Sequence, residues 1–400
     1  MIVRNAIRTS RLQNAKTTSM TLQELSDGFS TETMSGEIVT PQRSQTIATA
    51  YRAANIIGDD FAKLPFQQFE RINRSVQQVR PDARLKNLAY RLEVSPNEWG
   101  WTPFQFKKAI IDWQIWHGNA IVWRPPMWPQ QLLILPANRT RPMFDENGYL
   151  WYEHRFSNNE TKYIPSVEIL HVLINPDETG FWGRGVITFA KETFGRQLGA
   201  HKVQAKNFSR GLKSHSYVQV ASKLDKDDRD RIRTSYEEAL ETYGLAVFDS
   251  AIVKFEPIQM KNTDAQFLEQ INATKEDIAN FFGMPLHMLN MGKQAYNSND
   301  QKFGEYLQGT LDAYLVPFEQ AARIRWLTEE EQGNQYFKFI REALLRMDAK
   351  TRAETNEIKI RSGQMAPNEA REKDDESAYA EGDKFYMTSN YAPIGGSNNA

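Results

Sequence analysis

The fold is decided by residues 264–326, which read DAQFLEQINATKEDIANFFGMPLHMLNMGKQAYNSNDQKFGEYLQGTLDAYLVPFEQAARIRW. Apolar side chains recur on one face of the first predicted helix: Phe267, Ile271, Ile278 and Phe282. The breaker Gly283-Met284-Pro285 ends that helix, and an irregular polar segment leads to a second long helix that Ser298 is placed to cap. An ordinary surface helix packed on a core also explains the first helix. Two long helices joined by a loop nevertheless favour a moving or channel-lining element over a catalytic pocket.

The second predicted helix carries a proline in its interior, Pro317. Proline has no N–H to donate and its ring clashes with the preceding turn, which costs about 3 kcal/mol in a straight helix. A bend is the usual relief, and Gly304 and Gly309 weaken the same helix further. The sequence therefore predicts a kinked helix over residues 299–328, with the kink at Pro317.

Composition indicates a globular protein of two or more lobes, because 400 residues exceed one ordinary core. The aromatic content of 12%, with nine Trp, is typical of a protein that forms interfaces. The net charge of −1 argues against strong sequence-independent binding of duplex DNA, which normally needs a basic surface. The chain has no Cys, so disulfides and thiolate metal sites are impossible and an intracellular origin is favoured.

Motifs give no support to an enzyme. The histidines are scattered without metalloprotease spacing: His117, His154, His171, His201, His215 and His287. No P-loop or nucleophile elbow occurs, and Gly183-Arg184-Gly185 lacks the third glycine of a dinucleotide fingerprint. No apolar run approaches the ~20 residues that span a bilayer. We therefore predict no catalytic residue, no metal, no cofactor and no membrane partner.

Periodicity and breakers divide the chain into nine segments. An α+β lobe with mostly antiparallel strands comes early, and a compact insert with a highly charged helix separates two long helices. The segments are a flexible arm at 1–45, the lobe at 46–185, a helix at 186–213, the insert at 214–261, a helix at 262–282, a loop at 283–298, the kinked helix at 299–328, a charged helical region at 329–382 and a disordered tail at 383–400.

The charged helix of the insert, residues 224–241, has few apolar positions. Its simplest interpretation is a solvated face, and the other is a docking surface that includes Arg229, Arg231 and Arg233.

Taken in order, a series of landmarks resembles the tailed-bacteriophage portal proteins (head-to-tail connectors), in their short-chain siphophage-type branch. The matching residues are Lys63-Leu64-Pro65-Phe66, Ser95-Pro96-Asn97, Gly118-Asn119-Ala120, Leu135-Pro136, Ile169 to His171, Gly183-Arg184-Gly185-Val186, Phe208 with Gly211, Ile278-Ala279 through Phe282-Gly283-Met284-Pro285, Leu315 to Pro317, and Asn368-Glu369-Ala370-Arg371. Each landmark is weak alone, but their order extends from about Thr46 to Asp383.

The resemblance implies a portal-like α+β subunit. Its parts would be an α/β wing at 46–185, stem helices at 186–213 and 262–282, a small α/β clip at 214–261, a tunnel loop at 283–298, the kinked helix at 299–328 and a helical crown at 329–382. It further implies a ring, typically of twelve copies, at one vertex of the virion capsid, assembled in the host cytoplasm. Double-stranded DNA would pass through the ring without sequence specificity, during packaging and during ejection.

The implied partners are the terminase large subunit, the major capsid or scaffold protein, and a head-completion adaptor. For a channel that confines DNA without holding it, the candidate contacts are Met288, Asn290, Lys293 and Gln294. Two alternatives stay open on sequence alone: a two-lobed enzyme acting on nucleic acid, and a minor capsid or scaffold protein.

Overall fold

A computed structural model describes residues 31–72, 75–79, 88–209, 216–220, 225–231, 234, 252–257, 263–291, 299–344, 349–374 and 376–387. The chain divides into two compact units, residues 1–339 and residues 340–400. The helices of the first unit are α1 (Pro41–Ser44), α2 (Ala48–Lys63), α3 (Leu88–Val94), α4 (Pro103–His117), α5 (Val186–Ser209), α6 (Thr263–Phe281), α7 (Asn299–Tyr306), α8 (Asp312–Trp326) and α9 (Glu331–Asn334).

The strands of the first unit form small antiparallel sheets. The strands are β1 (Thr31–Glu32), β2 (Ile38–Val39), β3 (Phe66–Ile72), β4 (Ser75–Gln78), β5 (Asn119–Trp123), β6 (Leu133–Leu135), β7 (Thr140–Phe144), β8 (Leu150–Arg155), β9 (Thr161–Pro165), β10 (Ile169–Leu173), β11 (Ser216–Val220), β12 (Ile252–Pro257) and β13 (Gln335–Phe339). Three of the sheets have three strands, in the orders β10-β5-β6, β13-β3-β4 and β7-β8-β9. Small sheets of this kind need a hydrophobic face packed against other elements for stability, so helices and loops complete the core.

The start of the described chain is ordered, which corrects one prediction. Residues 31–45 belong to the predicted flexible arm, but they form the β1–β2 hairpin and α1. Val39 and Ser44 are fully buried, and the Glu37 carboxylate pairs with Lys202 of α5 at 2.6 Å. The prediction was wrong for these residues because it rested on their Ser/Thr-rich composition. Composition does not report the burial of two side chains or an ion pair with a residue distant in sequence. The remainder of the predicted arm lies outside the described residues.

One part of the core is a cluster of aromatic side chains. The ring of Phe66 lies 5.3 Å from Phe318 and 4.7 Å from Phe339, and Phe61 lies 5.7 Å from Phe318. These side chains come from β3, α8, β13 and α2, and all are buried. Aromatic pairs in such offset and edge-to-face contacts contribute about 0.5–1.5 kcal/mol each beyond burial. The cluster therefore fixes α8 against α2 and the β13-β3-β4 sheet.

Helix α4 has strong signals at both ends. Thr102 and Gln105 form a capping box with Pro103 at the first helical position, and Gly118 closes the helix at φ 79°. Immediately after it, β5 is buried along its whole length and pairs with β10. The junction between this helix and this strand is therefore buried.

Two long helices, α5 and α6, pack together, and the Trp116 side chain of α4 lies close to both. The ring of Trp116 in α4 lies 6.5 Å from Phe194 of α5 and 5.7 Å from Phe282, just after α6. Farther along, Arg196 and Asp277 approach to 3.7 Å. Between the two helices in sequence, β11 pairs with β12 antiparallel, and residues 226–231 are helical.

The second unit begins after residue 339, later than the predicted crown boundary at 329. The reason is that β13 pairs with β3 along five residues, with Phe339 opposite Phe66, so residues 335–339 belong to the first unit. The second unit contains α10 (Ala349–Arg361) and α11 (Pro367–Lys373).

Asn368 organises the end of the described chain. Its side chain donates to the Tyr379 carbonyl at 3.0 Å and to the Asp383 carboxylate at 2.8 Å. Met387 also forms an isolated antiparallel bridge with Ser362. The predicted disordered tail is therefore wrong for residues 383–387, where backbone pairing specifies the conformation. Residues 388–400 lie outside the described residues.

Candidate functional site

The candidate site is the connection between α6 and α8, and its first part is a tightly built helix end. Gly283 has φ 61°, a left-handed conformation that glycine adopts without steric cost. Its N–H donates to the Asn280 carbonyl and the N–H of Met284 donates to the Ala279 carbonyl, both at 2.9 Å. These bonds satisfy carbonyls that a helix end leaves unpaired. The chain consequently leaves α6 in a fixed direction.

A single 3₁₀ turn follows, Leu286–Leu289. Asn290 ends this turn with φ 57°, in the left-handed region that asparagine tolerates better than most residues. The N–H of Met291 returns to the Leu286 carbonyl at 3.0 Å. Residues 283–291 thus form two compact turns in succession, with Met284 and Leu289 buried against the unit.

Two side chains from distant elements hold these turns. The Arg52 guanidinium of α2 donates two hydrogen bonds to the Met288 carbonyl, from Nε at 3.2 Å and from Nη2 at 3.1 Å. The Thr310 hydroxyl donates to the Gly283 carbonyl. Residues 283–291 are therefore attached on one side to α2 and on the other to the helix that follows.

That following helix is interrupted. Between α7 and α8, residues Leu307–Leu311 form one turn of π-helix, and Thr310 and Leu311 within it are buried. Single π-helical turns within α-helices are rare and frequent at functional sites. Pro317 lies inside α8 as the sequence predicts, and the kink assigned to it stays a prediction.

Polar side chains of α2 and α4 pack beside the interrupted helix. Tyr306 is fully buried beside Asp60 of α2, and burial together with the Asp60 carboxylate raises the pKa of Tyr306 far above its usual range. Lys108 of α4 pairs with Asp59 at 2.6 Å. Burial raises the pKa of the neighbouring Asp112 to about 6, against the opposing attraction of Lys108. These contacts tie α2, α4 and α7 into one packed group.

The structure describes half of the predicted channel contacts. Met288 is half-buried, with its carbonyl held by Arg52, and Asn290 is exposed. Lys293 and Gln294 lie outside the described residues. In the charged helix, Arg229 and Arg231 are exposed and Arg233 lies outside the described residues. No structural contact in the described ranges joins the arginines of that helix to residues 283–291.

Sequence reasoning missed three features of this site: Arg52, Thr310 and the π-helical turn. Arg52 and Met288 are 236 positions apart, so no local pattern relates them. Thr310 follows Gly309 in a stretch whose apolar spacing reads as ordinary helix. The only local signal was the weak helix propensity of Gly304 and Gly309.

The described residues contain no cluster of His, Asp and Glu side chains arranged to hold a metal ion. Among the same residues, no helix combines the length and apolar character needed to cross a bilayer.

Solved structures define the class of fold. A crystal structure of an HK97 family phage portal protein from Corynebacterium diphtheriae has a TM-score of 0.57 at 18% identity, covering 76% of this chain and 96% of that one. The neck of a native gene transfer agent particle, computed with C12 symmetry, gives a TM-score of 0.54 at 13% identity, covering 93% and 98%. The mixed helix-and-sheet fold is therefore similar to that of HK97-family portal subunits.

Sequence comparison identifies the family. The family model described as phage portal protein matches residues 48–375. The portal protein of Enterobacteria phage HK97 is 25% identical over 370 residues, which is 89% of this chain and 85% of that protein. The probable portal protein of Streptomyces phage phiC31 is 21% identical over 387 residues, or 90% and 82%. The chain belongs to the phage portal protein family.

Family membership resolves the alternatives that the sequence left open. Portal proteins are structural components of the virion and are not enzymes, so the interpretation as a two-lobed enzyme acting on nucleic acid is wrong. The interpretation as a different minor capsid or scaffold protein is likewise replaced by that of a portal.

Proposed function

We propose that twelve copies of this chain form a closed ring at one capsid vertex, and that the ring is the channel through which double-stranded DNA enters and leaves. The observation that carries the proposal is the likeness, over 93% of the chain, to a subunit found in a neck with C12 symmetry. A closed ring requires that each copy present two different faces to its neighbours. Exposed tryptophans such as Trp99, Trp101 and Trp128 suit such faces, because aromatic side chains dominate interface energetics.

In this proposal the parts of the subunit have separate roles. Residues 46–185 are the wing, α5 and α6 are the stem helices, and residues 214–261 are the clip. Residues 283–298 are the tunnel loop, residues 299–328 the kinked helix that supports it, and the crown follows β13 in the second unit. Support for the tunnel loop comes from the two turns at 283–291, which leave α6 in a direction fixed by hydrogen bonds.

The channel is a conduit and not a DNA-binding site. Each phosphate neutralised by a fixed cation adds salt-dependent affinity, which would slow a moving polyanion. The net charge of −1 suits this requirement. Light contacts are assigned to four residues of the tunnel loop: Met288, Asn290, Lys293 and Gln294.

The clip is the proposed docking surface for the terminase large subunit during packaging and for a head-completion adaptor afterwards. Support comes from the exposure of Arg229 and Arg231, since exposed charges steer association and select partners. The wing and the crown are the proposed contact surfaces for the major capsid or scaffold protein.

Loss of the chain tests this function directly. In a phage carrying a nonsense mutation in the coding sequence, heads should assemble but remain empty of DNA, and supplying the chain in trans should restore filled heads. Normal filling without the chain would contradict the proposal. The proposal would be contradicted equally if supplying the terminase, without the chain, restored DNA-filled heads.

A further inference from the structure

We propose that Arg52 and Thr310 form a two-point clamp that positions residues 283–291, the described part of the proposed tunnel loop. The inference rests on the proposed function, because it assigns positioning residues to the loop that would line the channel. Neither residue belongs to the loop. Arg52 lies on α2 and Thr310 lies in the π-helical turn, so the clamp joins the loop to the wing and to the helix that supports it.

Arg52 holds the end of the 3₁₀ turn. The Met288 carbonyl belongs to the last residues of that turn, where carbonyls lack partners within the helix. Two N–H groups of one guanidinium converge on it, and bonds from a charged donor are about twice as strong as neutral ones. Helix α2 is itself fixed, because Ile57 and Phe61 are fully buried in the core. The loop therefore follows the position of α2.

Thr310 holds the beginning of the same segment. Its side chain is only 3% exposed, so its hydroxyl must find a partner within the protein. That partner is the carbonyl of Gly283, immediately beyond α6. Because Thr310 belongs to the π-helical turn, the conformation of that turn and the exit of the chain from α6 are linked.

The two anchors hold both ends of residues 283–291, the described part of the proposed tunnel loop: Thr310 holds Gly283 and Arg52 holds Met288. A change at either anchor is expected to alter DNA passage without altering the loop sequence.

Hydrogen exchange of the purified full-length protein tests the clamp. The test variants are Arg52→Gln, which removes the cation, and Thr310→Val, which removes the hydroxyl with little change in shape. Each has a matched control. Arg196→Gln removes an exposed arginine that meets Asp277 at 3.7 Å, and Thr274→Val removes a hydroxyl that donates to the Gln270 carbonyl at 2.7 Å in α6.

The test variants are expected to raise amide exchange in residues 283–291 by about tenfold, the factor for losing a bond that holds a locally opening segment. The controls should leave exchange there unchanged. In phage that carry these variants, DNA-filled heads should decrease for the test pair and not for the controls. Unchanged exchange in both test variants overturns the clamp. In a phage whose heads stay empty without the chain, faster exchange with normal DNA filling also overturns it, because the clamp would then not position a working loop.

Conservative variants guard against a simple folding defect. Thr310→Ser keeps the hydroxyl and should restore slow exchange, and Arg52→Lys keeps a charged donor and should restore it in part. Failure of Thr310→Ser to restore slow exchange would contradict the role of the hydroxyl. Exchange is measured on the protein alone, so its result stands even if phage lacking the chain fill normally and the proposed function fails.

Discussion

The Asn119 side chain and the Gly183 backbone exchange two buried hydrogen bonds. The Asn119 side chain donates to the Gly183 carbonyl at 2.8 Å, and the N–H of Gly183 donates to Asn119 Oδ1 at 2.7 Å. The same oxygen also accepts from His171 Nε2 at 3.0 Å, while the Tyr152 hydroxyl meets His171 Nδ1 at 3.0 Å. Burial lowers the pKa of His171 to about 3, so the ring is neutral at physiological pH. This network joins the lobe to the start of α5.

Loss of the Asn119 side chain should destabilise the fold. Asn119→Ala leaves the Gly183 amide and carbonyl buried without partners, which is expected to cost about 2–4 kcal/mol of unfolding free energy. Asn158→Ala, in an exposed turn, is the control and should cost less than about 0.5 kcal/mol. Denaturant unfolding followed by circular dichroism measures both. Equal, small losses for the two variants would show that the network contributes little.

Gly118 is predicted to be irreplaceable for a steric reason. A Cβ there would lie 2.5 Å from the backbone of Arg184, and the residue also has φ +79°. Gly148 has φ +78° but nothing within 4 Å of its Cβ position, so it isolates the cost of conformation alone. We expect Gly148→Ala to cost about 1–2 kcal/mol and Gly118→Ala about 4 kcal/mol or more, measured by thermal unfolding. Similar costs at the two positions would disprove the steric account.

Asp112 should make stability depend on pH. Its pKa is raised to about 6 in the fold from about 3.8 in a free chain, so the folded state binds the proton more tightly. Ionisation therefore opposes folding, and the contribution of this group falls as pH rises from about 4 to about 6, by at most about 3 kcal/mol. Asp112→Asn should consequently stabilise the protein more at pH 7.5 than at pH 4.5. Asp277→Asn, which removes an exposed carboxylate, is the control variant. An equal effect of Asp112→Asn at both pH values would refute the prediction.

The arginines of the clip are predicted to contribute to docking. Reversing Arg229, Arg231 and Arg233 to Glu should weaken binding of the terminase large subunit at least about tenfold, because like charges then oppose at the interface. Reversing three exposed arginines elsewhere, Arg155, Arg196 and Arg361, is the matched control. Calorimetry at physiological salt distinguishes the two sets. Intact binding after the clip reversal would remove the clip from this role.

Lys293 is predicted to assist DNA passage. Lys293→Glu introduces a repelling charge toward the phosphate backbone and should reduce DNA-filled heads at least about threefold. Lys338→Glu, on the exposed side of β13, makes the same charge change at a residue outside 283–298 and is the control. Counting filled and empty heads by electron microscopy measures the effect. Wild-type filling in the Lys293→Glu phage would exclude this residue from the mechanism.

Elements with strong local patterns could be predicted from the sequence. The apolar face of the first helix was predicted from Phe267, Ile271, Ile278 and Phe282. Ile271, Ile278 and Phe282 are buried, and the side chain of Phe267 lies outside what the structure describes. The end of α4 has a similarly local cause, because Gly118 adopts the left-handed conformation that commonly closes a helix.

Features that depend on distant pairing could not be predicted. Residues 335–339 read as the start of a charged helical region, yet they complete a sheet whose partner strand begins at Phe66. The Arg52 contact and the π-helical turn depend on the packing of α2 against the later helices. Hydrophobic periodicity reports which face of an element is buried, but not what covers it.

Imaging of the purified protein by electron cryomicroscopy tests the central claim most directly. The account predicts a closed ring of twelve copies around an open channel, with residues 283–298 of every copy facing the axis. Compact single particles without a hole, or a ring whose channel is walled by other segments, would contradict it.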